Sequence, residues 1–154
     1  ISNRLYYKSS QKKERIIMAY MSQQKKAELA PAIKAVLAKY NVKGTIAVRN
    51  HSSLVVNLKE GALDFIGAAN TDNRAYAERR GSHFYEVKDH YQVNTYYAHE
   101  SGDKKIGKFF EELVAAMKGT MWYDNSDIQT DYFDTAYYTD INVGGWNTPY
   151  VVTK

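Results

Sequence analysis

The chain has no cysteine, and its 154 residues include only two prolines, Pro31 and Pro149. Without cysteine there is no disulfide framework and no thiolate metal site, and the cytoplasm is the expected setting. No apolar run approaches the roughly 20 residues of a membrane span. Residues 1–22 also lack the basic start, long apolar run and small-residue cleavage site of a signal peptide, so a soluble protein with no membrane partner is expected. Also missing are a Gly-rich phosphate loop, a G-x-S-x-G elbow and an H-E-x-x-H zinc pair. At this length one domain with a single core is expected, with no cofactor and no catalytic constellation.

Charge is unevenly spread. The net charge of +4 divides into +9 over residues 1–50, −2 over 51–100 and −3 over 101–154. A basic start of this kind marks either a nucleic-acid-binding arm or a solvated helix face with a basic tail. Residues 1–17 carry much of that charge, and two readings stand for them. One is a translated, non-native leader ahead of Met18, since the chain begins with Ile1 and Lys13-Glu14 can be encoded by a ribosome-binding-site-like string. The other is a basic helix capped by Ser10. On the first reading the native protein starts at Met18, and residues 18–154 form the single domain.

What is present is strong periodicity. In residues 22–40, Leu29, Ile33, Val36, Leu37 and Tyr40 form one apolar helical stripe, which Pro31 either kinks or divides. In residues 101–118, Ile106, Phe109, Phe110, Leu113, Val114 and Met117 form another, capped by Ser101 or Asp103 and ended by Gly119. Residues 45–49 and 54–58 alternate around a short polar loop as a hairpin, with Leu54, Val56 and Leu58 on one face. Residues 62–80 predict helical turns interrupted at Gly67 and at residues 70–73, with a mobile loop. Residues 82–100 read as strand bent at Asp89-His90, and residues 134–143 as the last strand. The fold expected is α+β: two main amphipathic helices packed on one face of a mostly antiparallel sheet of about four strands.

The C-terminal stretch 123–150 concentrates carboxylates, aromatics and turn residues. Asp124, Asp127, Asp131 and Asp134 are spaced so that a helix would place all four on one face, an arrangement that costs free energy without a cation. Hard divalent ions suit such carboxylates, but the EF-hand pattern fails, with Gln129 where glycine is required and Thr135 where the bidentate glutamate belongs. The bland reading is a capped turn leading into a strand, with no metal. His51, His83, His90 and His99 show no short ligand spacing, although His90 and His99 lie among acidic residues. The 14 tyrosines suit base stacking where they neighbour cations, as Tyr96-Tyr97 with Arg79-Arg80. They suit protein interfaces equally well.

Two stretches, KAVLAKYNVKGTIAVRNHSSLVVNL (34–58) and NSDIQTDYFDTAYYTDINVGGWNTPYVV (125–152), resemble small uncharacterised bacteriophage proteins. The first is also similar to the large polyvalent protein-associated domain type 29, whose pattern is a helix, a lysine-led strand and a second alternating strand. This chain lacks the Trp and Gly-Pro that end that domain's second strand. The resemblance implies an accessory protein in the cytoplasm of an infected bacterial host, and it carries over no catalytic residues.

The functional expectation is therefore a non-enzymatic protein that binds a host or phage protein. Its surface would be built on Tyr123, Tyr132, Tyr137, Trp146 and Tyr150, rimmed by Asp124, Asp127, Asp131 and Asp134. One alternative is a nucleic-acid binder using Lys25, Lys26, Arg49, Arg74, Arg79 and Arg80. The other is a metal-dependent hydrolase using the C-terminal aspartates with His90 or His99.

Overall fold

The computed structural model describes residues 19–125 and 135–153. The leader question at residues 1–17, and Asp127, Asp131, Tyr132 and Asp134, lie outside them. The described elements run α1 (Gln23–Lys39), β1 (Val42–Arg49), β2 (Ser53–Gly61), α2 (Phe65–Arg80), β3 (Tyr91–Gln92), a 3-10 turn (Ala98–Glu100), α3 (Lys104–Lys118), β4 (Tyr138–Val143) and β5 (Val151–Val152).

The α+β class holds, and the sheet differs from the one expected. It has five strands in the order β1-β2-β4-β3, with β5 also on β2. It is mixed: β1–β2 and β3–β4 are antiparallel, whereas β2–β4 and β2–β5 are parallel. Alternating side chains announce a strand but not its direction. Here β4 returns to β2 only after α2 and α3 have crossed, so it runs the same way as β2.

The helical caps follow local chemistry. The Ser22 hydroxyl accepts the Lys25 N–H at 3.0 Å. The Asp103 carboxylate accepts the N–H groups of Lys105 and Ile106 at 3.1 and 3.2 Å. Between them, α2 is a third, unbroken helix where interrupted turns and a loop were expected. Asp64 caps it by accepting the Gly67 N–H at 2.9 Å, and Gly81 closes it at φ +63. Its asparagines are occupied elsewhere: Asn70 accepts the Val87 N–H at 2.7 Å and donates to the Val87 carbonyl at 2.8 Å, and Asn73 donates to Tyr85 O at 3.1 Å. These bonds also explain why residues 82–90 do not form a strand. A helix side chain, not a neighbouring strand, satisfies the backbone at Val87. Only Tyr91–Gln92 joins the sheet from that region.

Register fixes the two faces of the sheet. Ile46, Val56 and Ile141 stand abreast, as do Val48, Leu54 and Thr139. This side meets Ile33 and Leu37 of α1, and Phe109, Phe110, Leu113 and Met117 of α3 in one core. Val36 of the α1 stripe, and Ile46 and Val48 of β1, pack against it half-buried. Phe65, at the start of α2, contacts Phe109, Phe110 and Tyr150 with ring centroids 5.2 Å apart in each case. The opposite face is polar, carrying Thr45, Arg49, Asn57, Asp140 and Asn142. There Arg49 on β1 reaches across β2 to pair with Asp140 on β4. That bridge lies over Ser53 and Val55, which accounts for their burial on the open face.

At the hairpin tip, Asn50 and His51 both have φ 55, and the Ser52 N–H donates to Arg49 O at 3.2 Å. This mirror-image turn suits the twist of the two strands. Lys39 Nζ meets Glu112 Oε1 at 2.6 Å, and the Tyr40 hydroxyl donates to the other oxygen of Glu112, joining the end of α1 to α3. These bonds hold the Glu112 carboxyl below its usual range and raise the Lys39 and Tyr40 values.

Candidate functional site: two grooves around an aromatic turn

The short reach of β3 shapes the site. After the Val93 N–H donates to Ile141 O at 2.9 Å, the chain leaves the sheet and turns through residues 94–98, where the Asn94 side chain accepts the Tyr96 N–H at 3.1 Å. Beyond that point β4 has no strand on its outer edge among the described residues. The turn lifts Tyr96 and Tyr97 into solvent, 72% and 65% exposed, and a groove opens on either side of it.

The first groove, of about 890 Å³, follows the open edge of β4 and is lined by Tyr96, Trp122, Asp124, Tyr138 and Asp140 among others. The indole of Trp122 is fixed twice: its Nε1 donates to Tyr137 O at 2.8 Å, and the Lys118 ammonium sits 4.0 Å from its ring centroid. The second groove, of about 1120 Å³, separates α2 from the 94–102 segment. Val93, Ala98, Ile106 and Phe110 line its apolar part, and Tyr76, Arg79, Arg80 and Tyr97 its rim. The Arg80 guanidinium lies 5.5 Å from the Tyr76 centroid, and that of Arg74 5.0 Å from the Phe84 centroid. Tyr91, also in this groove, has its hydroxyl pKa raised by burial first and by Asp72 next.

Of the residues expected to form one acidic, aromatic surface, those that are described are dispersed. Tyr123 lies at the surface, and Asp124, bridged to Thr135, lines the first groove. Trp146 stands 81% exposed at the tip of a tight turn closed between Gly145 and Thr148, with Asn147 at φ 65. Tyr137 and Tyr150 are instead core residues. The Tyr137 hydroxyl contacts Met117 O at 2.6 Å and Lys118 O at 2.8 Å. The Tyr150 hydroxyl donates to Leu63 O at 2.8 Å. Burial pushes the Tyr137 pKa up to about 12 and that of Tyr150 up as well. Neither ring is available to a partner.

The basic residues are also split. Lys25 lies 5.1 Å from the Tyr137 centroid, and Lys26 follows it on α1. Arg49 is engaged by Asp140. Arg74, Arg79 and Arg80 share α2, and none has a carboxylate within 4.0 Å among the described residues. His90 Nδ1 is 2.6 Å from Asp89 Oδ1, and His99 is 4.0 Å from Glu100. Among the described residues no group of three or more His, Cys, Asp or Glu side chains could hold a metal ion. No described helix is long and apolar enough to cross a membrane.

The pairing of Tyr96-Tyr97 with Arg79-Arg80 is legible in sequence. Trp122, Lys118 and Tyr76 were missed: Tyr76 and Arg80 are four apart on α2, the helical spacing that brings side chains together, whereas Trp122 meets Lys118 only because the chain turns back after α3 ends. No protein family model, curated protein or solved structure matches the chain significantly.

Proposed function

We propose that the protein is a non-catalytic binding module that engages another protein through the aromatic face around residues 94–98. The observation that carries this reading is the grouping there of exposed Tyr76, Tyr96, Tyr97 and Tyr138 with cations stacked on Tyr76 and Trp122, beside apolar groove walls. Tyrosine, tryptophan and arginine around a desolvated centre are the residues that anchor protein interfaces. Asp124 belongs to this surface through the first groove, with Tyr123 beside it in sequence, and Trp146 offers a separate contact. The resemblance to phage proteins supplies the setting: a host or phage protein in an infected bacterial cytoplasm.

A nucleic-acid partner is the second reading, favoured by the arginines of α2, which meet no carboxylate among the described residues. Against it, Asp72 and Glu100 line one groove and Asp124 and Asp140 the other, which opposes a polyanion. The test is a pull-down from bacterial lysate, with and without nuclease and at two salt concentrations. A protein retained after nuclease treatment and lost with Tyr96→Ala/Tyr97→Ala is the expected result. Recovery of nucleic acid alone overturns the reading.

A further inference from the structure

Resting on that reading, the geometry points to one partner chemistry for the groove between α2 and residues 94–102: an amphipathic segment of another protein, its apolar side chains on the groove floor and its carboxylates on Arg79 and Arg80.

The groove is asymmetric in charge. Arg79 and Arg80 occupy one end of its α2 wall, and Asp72 lies two turns earlier. Asp72 is already committed, accepting the Ser101 hydroxyl at 2.8 Å and the Gly102 N–H at 2.9 Å. Among the described residues the arginines have no such commitment to a carboxylate. With Arg80 held against Tyr76, its planar fork loses little further freedom on meeting a carboxylate. The same α2 wall presents Ala68, Ala69 and Ala75, small side chains that keep the groove open beside Ile106 and Phe110. From Ala68 to Arg80 the wall runs about 18 Å at the helical rise of ~1.5 Å per residue, a length that matches roughly three turns of a docked helix. A uniformly anionic chain would meet Asp72 on the α2 wall and Glu100 on the facing one. A segment with acidic residues at one end only would not. This polarity also sets the direction of the bound segment, with its carboxylates at the Arg79/Arg80 end and any basic residues toward Glu100.

The test is selection of a displayed library of random peptides of roughly twelve residues on the full chain, beside a fluorescein-labelled oligothymidine. Enriched peptides should carry Asp or Glu at one end of a Leu, Ile or Phe repeat. Their affinity should fall about tenfold or more for R79E/R80E and for Ala75→Trp, which fills the groove from its rim. Peptides with the acids changed to lysine should regain binding to R79E/R80E. Circular dichroism checks that these surface variants remain folded. Peptides indifferent to R79E/R80E but weakened by Trp122→Ala would overturn the groove assignment and leave the protein-binding reading standing. An absence of enriched peptides overturns the assignment. Oligothymidine binding that depends on Arg79 and Arg80, without enriched peptides, overturns both.

Discussion

Tyr137→Phe isolates one hydroxyl. In the wild-type protein that group meets the carbonyls of Met117 and Lys118 at 2.6 and 2.8 Å, two of the carbonyls that the end of α3 leaves without helical partners. The substitution keeps the fully buried ring and removes the donor. Met117 is completely buried and Lys118 half-exposed, so water can replace the hydroxyl at the second carbonyl but not at the first. One desolvated, unpartnered acceptor costs about 2 kcal/mol, or about 4–8 °C in melting temperature for a chain of this size. Urea denaturation read by circular dichroism measures it. Tyr138→Phe serves as control, because its ring is half-exposed and its loss should stay within about 0.5 kcal/mol. The alkaline limb gives an independent check. Burial raises the Tyr137 pKa to about 12, against about 10 in the unfolded chain. Its contribution is therefore fully present below pH 10 and lost as pH rises toward 12. Tyr137→Phe should flatten that limb, though not abolish it, since Tyr91 and Tyr150 shift the same way. Equal urea midpoints and slopes for wild type and Tyr137→Phe would refute the reasoning.

Asn70→Ala should destabilise by about 1–3 kcal/mol and sharply raise hydrogen exchange at the Val87 amide; unchanged exchange there would show that the clamp is not formed in solution. Gly144→Ala should be clearly worse than Gly81→Ala in thermal melts. Both have positive φ, but a Cβ at Gly144 would meet Tyr150 N at 2.7 Å, while one at Gly81 meets nothing within 4 Å, so Gly81→Ala costs only the left-handed backbone, about 1–2 kcal/mol. Glu112→Gln should remove part of the acid-side pH dependence. The depressed Glu112 pKa contributes stability that is present above its ordinary value of 4.5 and lost as pH falls through the folded value. Identical acid titrations of stability for the two proteins would contradict this.

Legibility in the sequence followed the range of the interactions involved. The α3 stripe and the Leu54, Val56, Leu58 face declare themselves because one element's own period sorts core from solvent. Tyr137 and Tyr150 do not, because a tyrosine enters a core only if its hydroxyl finds a partner, and these partners lie at Met117, Lys118 and Leu63, far along the chain. The continuity of α2 was hidden for a related reason: Gly67 and the polar run 70–73 have low helix propensity, and bonds to Val87 and Tyr85 override it. The aromatic bias of residues 82–97 favours strand locally, yet most of the segment has no strand beside it. Of the candidate site, the neighbouring Tyr and Arg pairs were visible, while the grooves depend on where the sheet stops, which no local pattern records.

The parallel pairing of β2 with β4 also sets an order in time. Asn57 and its partner Asn142 are 85 residues apart, so a ribosome adding about 5–20 residues per second needs roughly 4–17 s between them. Throughout that interval the β1–β2 hairpin can form, but the other edge of β2 has no partner, since both β4 and β5 are still to come. The strand most enclosed in the finished protein is thus the one longest available to other nascent chains as a template for pairing. A chain cut short before Tyr138 would keep that edge open permanently.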